Sequence, residues 1–146
     1  MTSVSLESFN RPVLLVEDNP IDVDLTLRAF AKRKFTNPVF VARDGEEALA
    51  WLPRWEAGEP LPLVILLDLK LPRVHGLEVL ARWRESVVCR SVPVVVLTTS
   101  AEDKDIQEAY RLGANSYILK PVNFEKFVDV AEQIELYWCV TNRPPL

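Results

Sequence analysis

The stretch Leu63-Val64-Ile65-Leu66-Leu67-Asp68 decides how the rest of the chain is read. Its apolar run is short and unbroken, which reads as a strand covered on both faces, as in a parallel sheet flanked by helices. An ionised carboxylate closing such a strand is costly to bury alone, so it should face a polar crevice. In open α/β sheets that crevice lies outside the carboxyl ends of the strands. Asp68 is therefore a candidate site residue.

Working outward, Val13-Leu14-Leu15-Val16 is an earlier buried strand, ended by Glu17-Asp18-Asn19. Asn19-Pro20 caps and opens a helix with Asp22 and Asp24 in its early turns and Lys32, Arg33 and Lys34 at its end. A second strand spans Pro38 to Ala42. Asp44-Gly45 opens a second helix carrying Ala48, Leu49 and Leu52 and expected to end near Pro53, before a long loop with Gly58, Pro60 and Pro62. Beyond Asp68, Leu71-Pro72 and Gly76 turn the chain into a third helix with Leu77, Val79, Leu80 and Trp83.

Val92 to Leu97 is a fourth run, ending in Thr98-Thr99-Ser100, and a helix from Glu102 to Leu112 with Gly113 beyond its end follows. Ser116 to Leu119 is a fifth strand, closed by Lys120-Pro121, and Asn123 caps a last helix from Phe124 to Cys139. Five strands alternating with five helices predict an α/β, flavodoxin-like doubly wound parallel sheet in the order 2-1-3-4-5.

A length of 146 residues suits one compact domain. We read residues 1–146 as a single domain with its core at 12–138, a short N-terminal arm and a C-terminal tail. A net charge of −4 without a Lys/Arg-rich run weighs against nucleic acid as a partner. No run approaches the roughly 18 apolar residues that span a bilayer. The start, MTSVSLESFN, lacks the regions of a secretory signal, so no membrane association and a cytoplasmic location are expected. Cys89 and Cys139 read as reduced thiols, and His75, the only histidine, reads as an exposed residue near the third helix start.

The predicted topology gathers Glu17 and Asp18 from the first strand, Asp68 from the third, Thr98 and Thr99 from the fourth and Lys120 from the fifth. Carboxylates converging at low dielectric repel one another and call for a cation. A hard divalent ion with oxygen ligands, Mg2+ (or Mn2+), fits that need. Lys120 adds a positive charge and Thr98 a hydroxyl. Such a set suits an aspartate that takes up a phosphoryl group as an acyl phosphate.

On these residues the chain resembles the receiver domain of two-component response regulators from Pro12 to Trp138. Thr98 and Lys120 stand 30 and 52 residues after Asp68, separations that agree with the family. The resemblance implies Asp68 as phosphoacceptor, metal ligation by Glu17, Asp18, Asp68 and the Lys70 backbone carbonyl, and phosphoryl binding by Thr98 and Lys120. It further implies Thr98 and Tyr117 as switch residues and a cis Lys120–Pro121 bond. Lys70 and Ser100 occupy positions that in this family influence phosphoryl lifetime. The segments VEDNPIDVDLTLRAF, LLDLKLPRVHG, PVVVLTTS and ELYWCVTNRPP, with the long loop from Glu56 to Pro62, resemble stand-alone receivers that partner phytochrome-type histidine kinases.

The resemblance implies a phosphorelay protein rather than an enzyme with its own substrate, although it assists its own phosphotransfer and dephosphorylation. A histidine kinase of phytochrome type would supply the phosphoryl group. The surface of the fourth helix, fifth strand and fifth helix would report it. No residues remain for a DNA-binding output domain, so partner binding or onward phosphotransfer is the expected output. The last helix carries an apolar stripe of Phe124, Phe127, Val128, Ala131, Ile134 and Trp138, widened by Val130, Leu136, Tyr137 and Cys139. That breadth predicts a homodimer through the fourth and fifth helices, the fifth strand and the aromatic tail, with Phe127, Tyr137 and Trp138 at the interface. Two rivals remain: a phosphate-independent dimeric interaction module, and an aspartyl-phosphate phosphatase. The phosphatase class places a D-x-D pair on its first strand, where this chain has Glu17-Asp18-Asn19.

Overall fold

The computed structural model describes residues 11–32 and 35–143. The strands are β1 (Val13–Val16), β2 (Val39–Ala42), β3 (Val64–Leu67), β4 (Val94–Thr98) and β5 (Ser116–Leu119), all parallel, in the order β2-β1-β3-β4-β5. Between and after them run α1 (Pro20–Lys32), α2 (Gly45–Glu56), α3 (Gly76–Glu85), α4 (Asp103–Arg111) and α5 (Phe124–Glu135). The fold is the doubly wound, flavodoxin-like one expected from the sequence. The proposed N-terminal arm, the basic residues Arg33 and Lys34, and Pro144-Pro145 lie outside the described residues.

Strand side chains alternate between the two faces of the sheet, and each face has its own core. Leu14, Val16, Ile65, Leu67, Val94 and Val96 share a cluster with Trp55 of α2, Leu80 and Trp83 of α3 and Ala109 of α4. Val13, Leu15, Val64, Leu66, Val95 and Leu97 share the other with Phe30 of α1 and Phe127, Ala131 and Ile134 of α5. Every residue of β1, β3 and β4 is buried, which is why these strands read as continuous apolar runs.

Prolines delimit the strands. Pro12, Pro38 and Pro93 stand immediately before β1, β2 and β4, where a missing donor is harmless while the carbonyl still serves. Val13, Ile65 and Leu63 donate to the carbonyls of Pro38, Pro93 and Pro12 at 2.9, 2.9 and 2.8 Å.

Helix α2 continues through Pro53 to Glu56, beyond its expected end. The proline is exposed, while Trp55, two residues on, is buried against Trp83 with ring centroids 5.8 Å apart. Burial of an indole outweighs one lost helical hydrogen bond. The opposite end of the molecule differs from expectation too. Instead of one α-helix to Cys139, α5 stops at Glu135 and a π-helical turn, Leu136–Thr141, follows. The wider turn lets Trp138 and Cys139 pack on the α1/α5 core while Tyr137 stays exposed.

Two further expectations are corrected. Among the described residues no peptide bond is cis, so Lys120–Pro121 is trans, the isomer that X–Pro bonds favour by about 0.5–1 kcal/mol. Phe127 is buried in its own domain, where it fills the α1/α5 core, and does not lie on the surface assigned to it as an interface residue.

The loops on the far side of the sheet from the strand carboxyl ends are tied by Arg84. Its guanidinium donates to the carbonyls of Arg90 and Val92 at 2.9 and 2.8 Å and to that of Gly113 at 2.8 Å. The α3–β4 and α4–β5 connections are thereby held by one side chain.

Candidate functional site

The carboxyl ends of β1, β3, β4 and β5 open on one crevice, and the residues there follow the strand ends. Glu17 and Asp68 each come directly after a buried strand and are themselves buried; Asp18 is exposed. Thr98 ends β4 with no exposure, and Lys120 follows β5. The β3–α3 loop is shaped by Gly76, whose N–H donates to the Leu69 carbonyl at 2.8 Å. A Cβ there would lie 2.5 Å from the Asp68 carbonyl oxygen, so only glycine lets α3 start this close to the Asp68 backbone.

Lys120 is the centre of the charge arrangement. Its Nζ lies 2.6 Å from Glu17 Oε1, 2.9 Å from Asp68 Oδ2 and 2.9 Å from Asp22 Oδ2. Burial alone would lower its pKa, but the hydrogen bonds to Glu17, Asp22 and Asp68 outweigh that and raise it, so the ammonium stays charged. Burial likewise pushes the Glu17 carboxyl up to about 7, against the hydrogen bond from Lys120 and with the help of neighbouring Asp68. The two shifts differ in origin: burial drives that of Glu17, and the surrounding carboxylates drive that of Lys120.

Carboxylate oxygens of Glu17, Asp18 and Asp68 lie within 4.8 Å of one another. An all-oxygen donor set with surplus negative charge fits a hard divalent cation, and these residues are positioned to bind Mg2+ or Mn2+. Two local bonds hold the set: Glu17 Oε2 accepts from the Asn19 N–H at 3.1 Å, and Asp68 Oδ1 from the Lys70 N–H at 3.3 Å.

On the β4–β5 side, the Thr98 main-chain carbonyl accepts from the Lys120 N–H at 2.8 Å, which sets the two strand ends side by side. The Tyr117 hydroxyl donates to the Ser100 carbonyl at 2.9 Å, and the Ser100 hydroxyl to Asp105 Oδ2 at 2.6 Å. The β5 aromatic, the β4–α4 loop and the first turn of α4 are thus one hydrogen-bonded chain.

Residues 13–132 match the response regulator receiver domain. The chain belongs to the response regulator receiver family. Among curated relatives, it is 46% identical over 134 residues to the probable methanogenesis regulatory protein FilR2 of Methanothrix harundinacea, covering 91% of this chain and 86% of that one. It is 36% identical over 135 residues to response regulator Rcp1 of Synechocystis, covering 91% and 92%. The Mn2+-bound crystal structure of Rcp1 superposes with a TM-score of 0.86 at 34% identity, over 93% of this chain and 99% of that one. The phosphorylated cyanobacterial phytochrome response regulator RcpA superposes with a TM-score of 0.87 at 37% identity, over 94% and 99%. Receiver domains work with histidine kinases in two-component signalling, and theirs is a signalling family rather than one of substrate-processing enzymes.

The structure brings Glu17, Asp18, Asp68 and Lys120 together as the sequence led us to expect. It places Thr98 and Tyr117 on the neighbouring strands. Lys70 is exposed, and His75 caps α3, its Nδ1 accepting from the Leu77 N–H at 3.1 Å. Asp22 was missed. The sequence marked it as an acid at a helix start, but that helix begins beside the crevice, and this placement was the available signal.

Among the described residues no helix is long and apolar enough to cross a membrane. The thiols of Cys89 and Cys139 are not joined. The large exposed apolar residues near β5 and α5, among the described residues, are Leu119, Val122, Phe124, Leu136, Tyr137 and Val140.

Proposed function

We propose that this receiver accepts a phosphoryl group on Asp68 from the phosphohistidine of a phytochrome-type histidine kinase. The observation that carries the reading is the Lys120 Nζ at 2.9 Å from Asp68 Oδ2, at the edge of the Glu17–Asp18–Asp68 triad. An Asp68 carboxylate oxygen attacks phosphorus, the phosphorus–nitrogen bond breaks, and the kinase imidazole leaves with the electron pair. The chain's part is positioning and charge. Lys120 and the Thr98 hydroxyl bind phosphoryl oxygens, and the buried setting strengthens both contacts. Glu17, Asp18, Asp68 and the Lys70 carbonyl would hold the divalent ion, which when bound offsets the charge of the phosphoryl oxygens.

The switch follows from the same contacts. Thr98 moving toward the phosphoryl group pulls on the β4–α4 loop, where Tyr117 is bonded to Ser100. A Tyr117 rotamer change then alters the α4–β5–α5 surface, a shift between two packings that phosphoryl contacts bias. Ser100 and Lys70 set how long the acyl phosphate survives its hydrolysis. The exposed apolar residues Leu119, Val122, Phe124 and Tyr137 support a homodimer through that surface. The phytochrome partnership draws support from RcpA, a phytochrome response regulator by name; FilR2 is named instead for methanogenesis, so the kinase must be tested directly.

The test is intact mass after incubation with Mg2+ and a small-molecule phosphodonor, on wild type and Asp68→Asn. A phosphoryl mass gained by wild type alone is the expected result. Equal gain by both removes Asp68 as acceptor, and no gain by folded wild type counts against phosphoacceptance without a kinase. The same assay with phosphorylated candidate kinases tests the partner.

A further inference from the structure

The metal triad and the Lys120 ammonium share two carboxylates, those of Glu17 and Asp68. An ammonium has three N–H donors, and here they face Glu17, Asp68 and Asp22 at 2.6, 2.9 and 2.9 Å. Glu17 and Asp68 belong to the triad; Asp22 does not. A divalent ion that engages Glu17 and Asp68 draws their charge away from the ammonium. The Lys120 side chain is only 6% exposed, so water offers little replacement. Asp22, on the first turn of α1 and 18% exposed, is the acidic partner left over.

We propose that Asp22 is a positioning residue that keeps Lys120 in the crevice while a divalent ion occupies Glu17 and Asp68. It gives the ammonium an anionic partner outside the metal triad, so the ion and the lysine are held side by side rather than in exclusion of one another. Without the Asp22 charge, Lys120 has only the metal-site carboxylates of Glu17 and Asp68 as anionic partners, and it must share their charge with the ion. The inference rests on the reading of Glu17, Asp18 and Asp68 as the metal site. It adds a role to an acid that otherwise looks like a helix-dipole residue. The Thr26 hydroxyl donates to the main-chain carbonyl of Asp22 at 2.8 Å, a contact that Asp22→Asn leaves in place.

The test is calorimetric titration of the full chain with Mg2+, comparing wild type, Asp22→Asn, Lys120→Met and the double variant, with melting curves to verify folding. Asp22→Asn should weaken Mg2+ binding by about 3–10-fold, the scale of a charge-assisted contact in a partly screened site. In the Lys120→Met background the same substitution should change affinity by less than about twofold, because the effect runs through the lysine. An unchanged affinity in Asp22→Asn overturns the proposal. So does an equal loss in both backgrounds, which would make Asp22 merely a charge felt by the ion at a distance. Folded wild type that binds no Mg2+ would overturn the metal-site reading as well, an outcome separate from wild-type binding without coupling.

Discussion

Replacing Gly76 by alanine tests whether the backbone approach beneath Asp68 shapes the crevice. The added Cβ would sit 2.5 Å from the Asp68 carbonyl oxygen and 2.6 Å from Leu69 Cα, both backbone atoms that no side-chain rotation can clear. Restoring an ordinary carbon–oxygen contact near 3.3 Å requires α3 or the loop to retreat by about 0.8 Å. Overpacking of this kind costs about 1–3 kcal/mol. Alanine's better helix propensity returns up to about 1 kcal/mol. The clash wins, leaving a net loss of about 1–2 kcal/mol and a melting temperature lower by about 3–6 °C. Because the clash bears directly on the Asp68 carbonyl, Mg2+ affinity should fall about threefold, shrinking stabilisation by saturating Mg2+ by about 0.6 kcal/mol. The assay is thermal melting of both proteins with and without Mg2+. Gly58→Ala is the control. Gly58 has φ +106° and open space within 4 Å of where a Cβ would stand, so its alanine variant should lose stability through backbone strain and keep the whole Mg2+ increment. A Gly76→Ala protein that melts like wild type, or that loses stability with its Mg2+ increment intact, would refute the reasoning.

Burial pushes Glu17 up to about 7, so below that pH a divalent ion must displace a proton. Mg2+ affinity should therefore rise about tenfold between pH 6 and pH 8, with proton release at the lower pH read by calorimetry in buffers of different ionisation enthalpy. A flat profile, or no difference between wild type and Glu17→Gln, would count against it. Arg84→Ala strips the α3–β4 and α4–β5 connections of their shared donor and should lower stability by about 2–4 kcal/mol in urea melts, with Arg84→Lys recovering only part because an ammonium cannot span both loops. Burial raises the Cys89 thiol and pushes Cys139 up to about 12. Cys139 should therefore react with a disulfide reagent at pH 8 on the order of 10³-fold more slowly in native protein than in denatured protein, and fast native labelling would contradict that.

The strands were legible because β1, β3 and β4 are buried on both faces, so composition alone marks them. The crevice was legible for a related reason: a charged residue closing an apolar run must face the one place where charge is tolerated. What escaped depends on packing between distant segments. Pro53 signals a helix end by its own chemistry, but the contact between Trp55 and Trp83 across two helices carries α2 past it. The change from α to π geometry after Glu135 answers to where Trp138 can pack, which no local pattern encodes. Phe127 shows the ambiguity of a broad apolar helix, since periodicity does not say which of its residues its own core will take. Asp22 shows the converse, an unremarkable helix-start acid made part of the site by the lysine that β5 delivers 98 residues later.

The prolines at the strand limits bear on how the protein behaves when crowded. Both outer strands of the sheet, β2 and β5, have one unpaired edge, and such edges invite strands from other chains and aggregation. Each pairs over only four residues. Pro38 stands just before β2, and Pro121 comes two residues after β5 ends, so neither edge offers a continuous row of donors for a growing ladder. An intruding segment of the usual five or six residues would overrun the available pairing at one end. The sheet is self-limiting along its backbone edges, so contacts made at β5 run through side chains such as Leu119 rather than through an added strand.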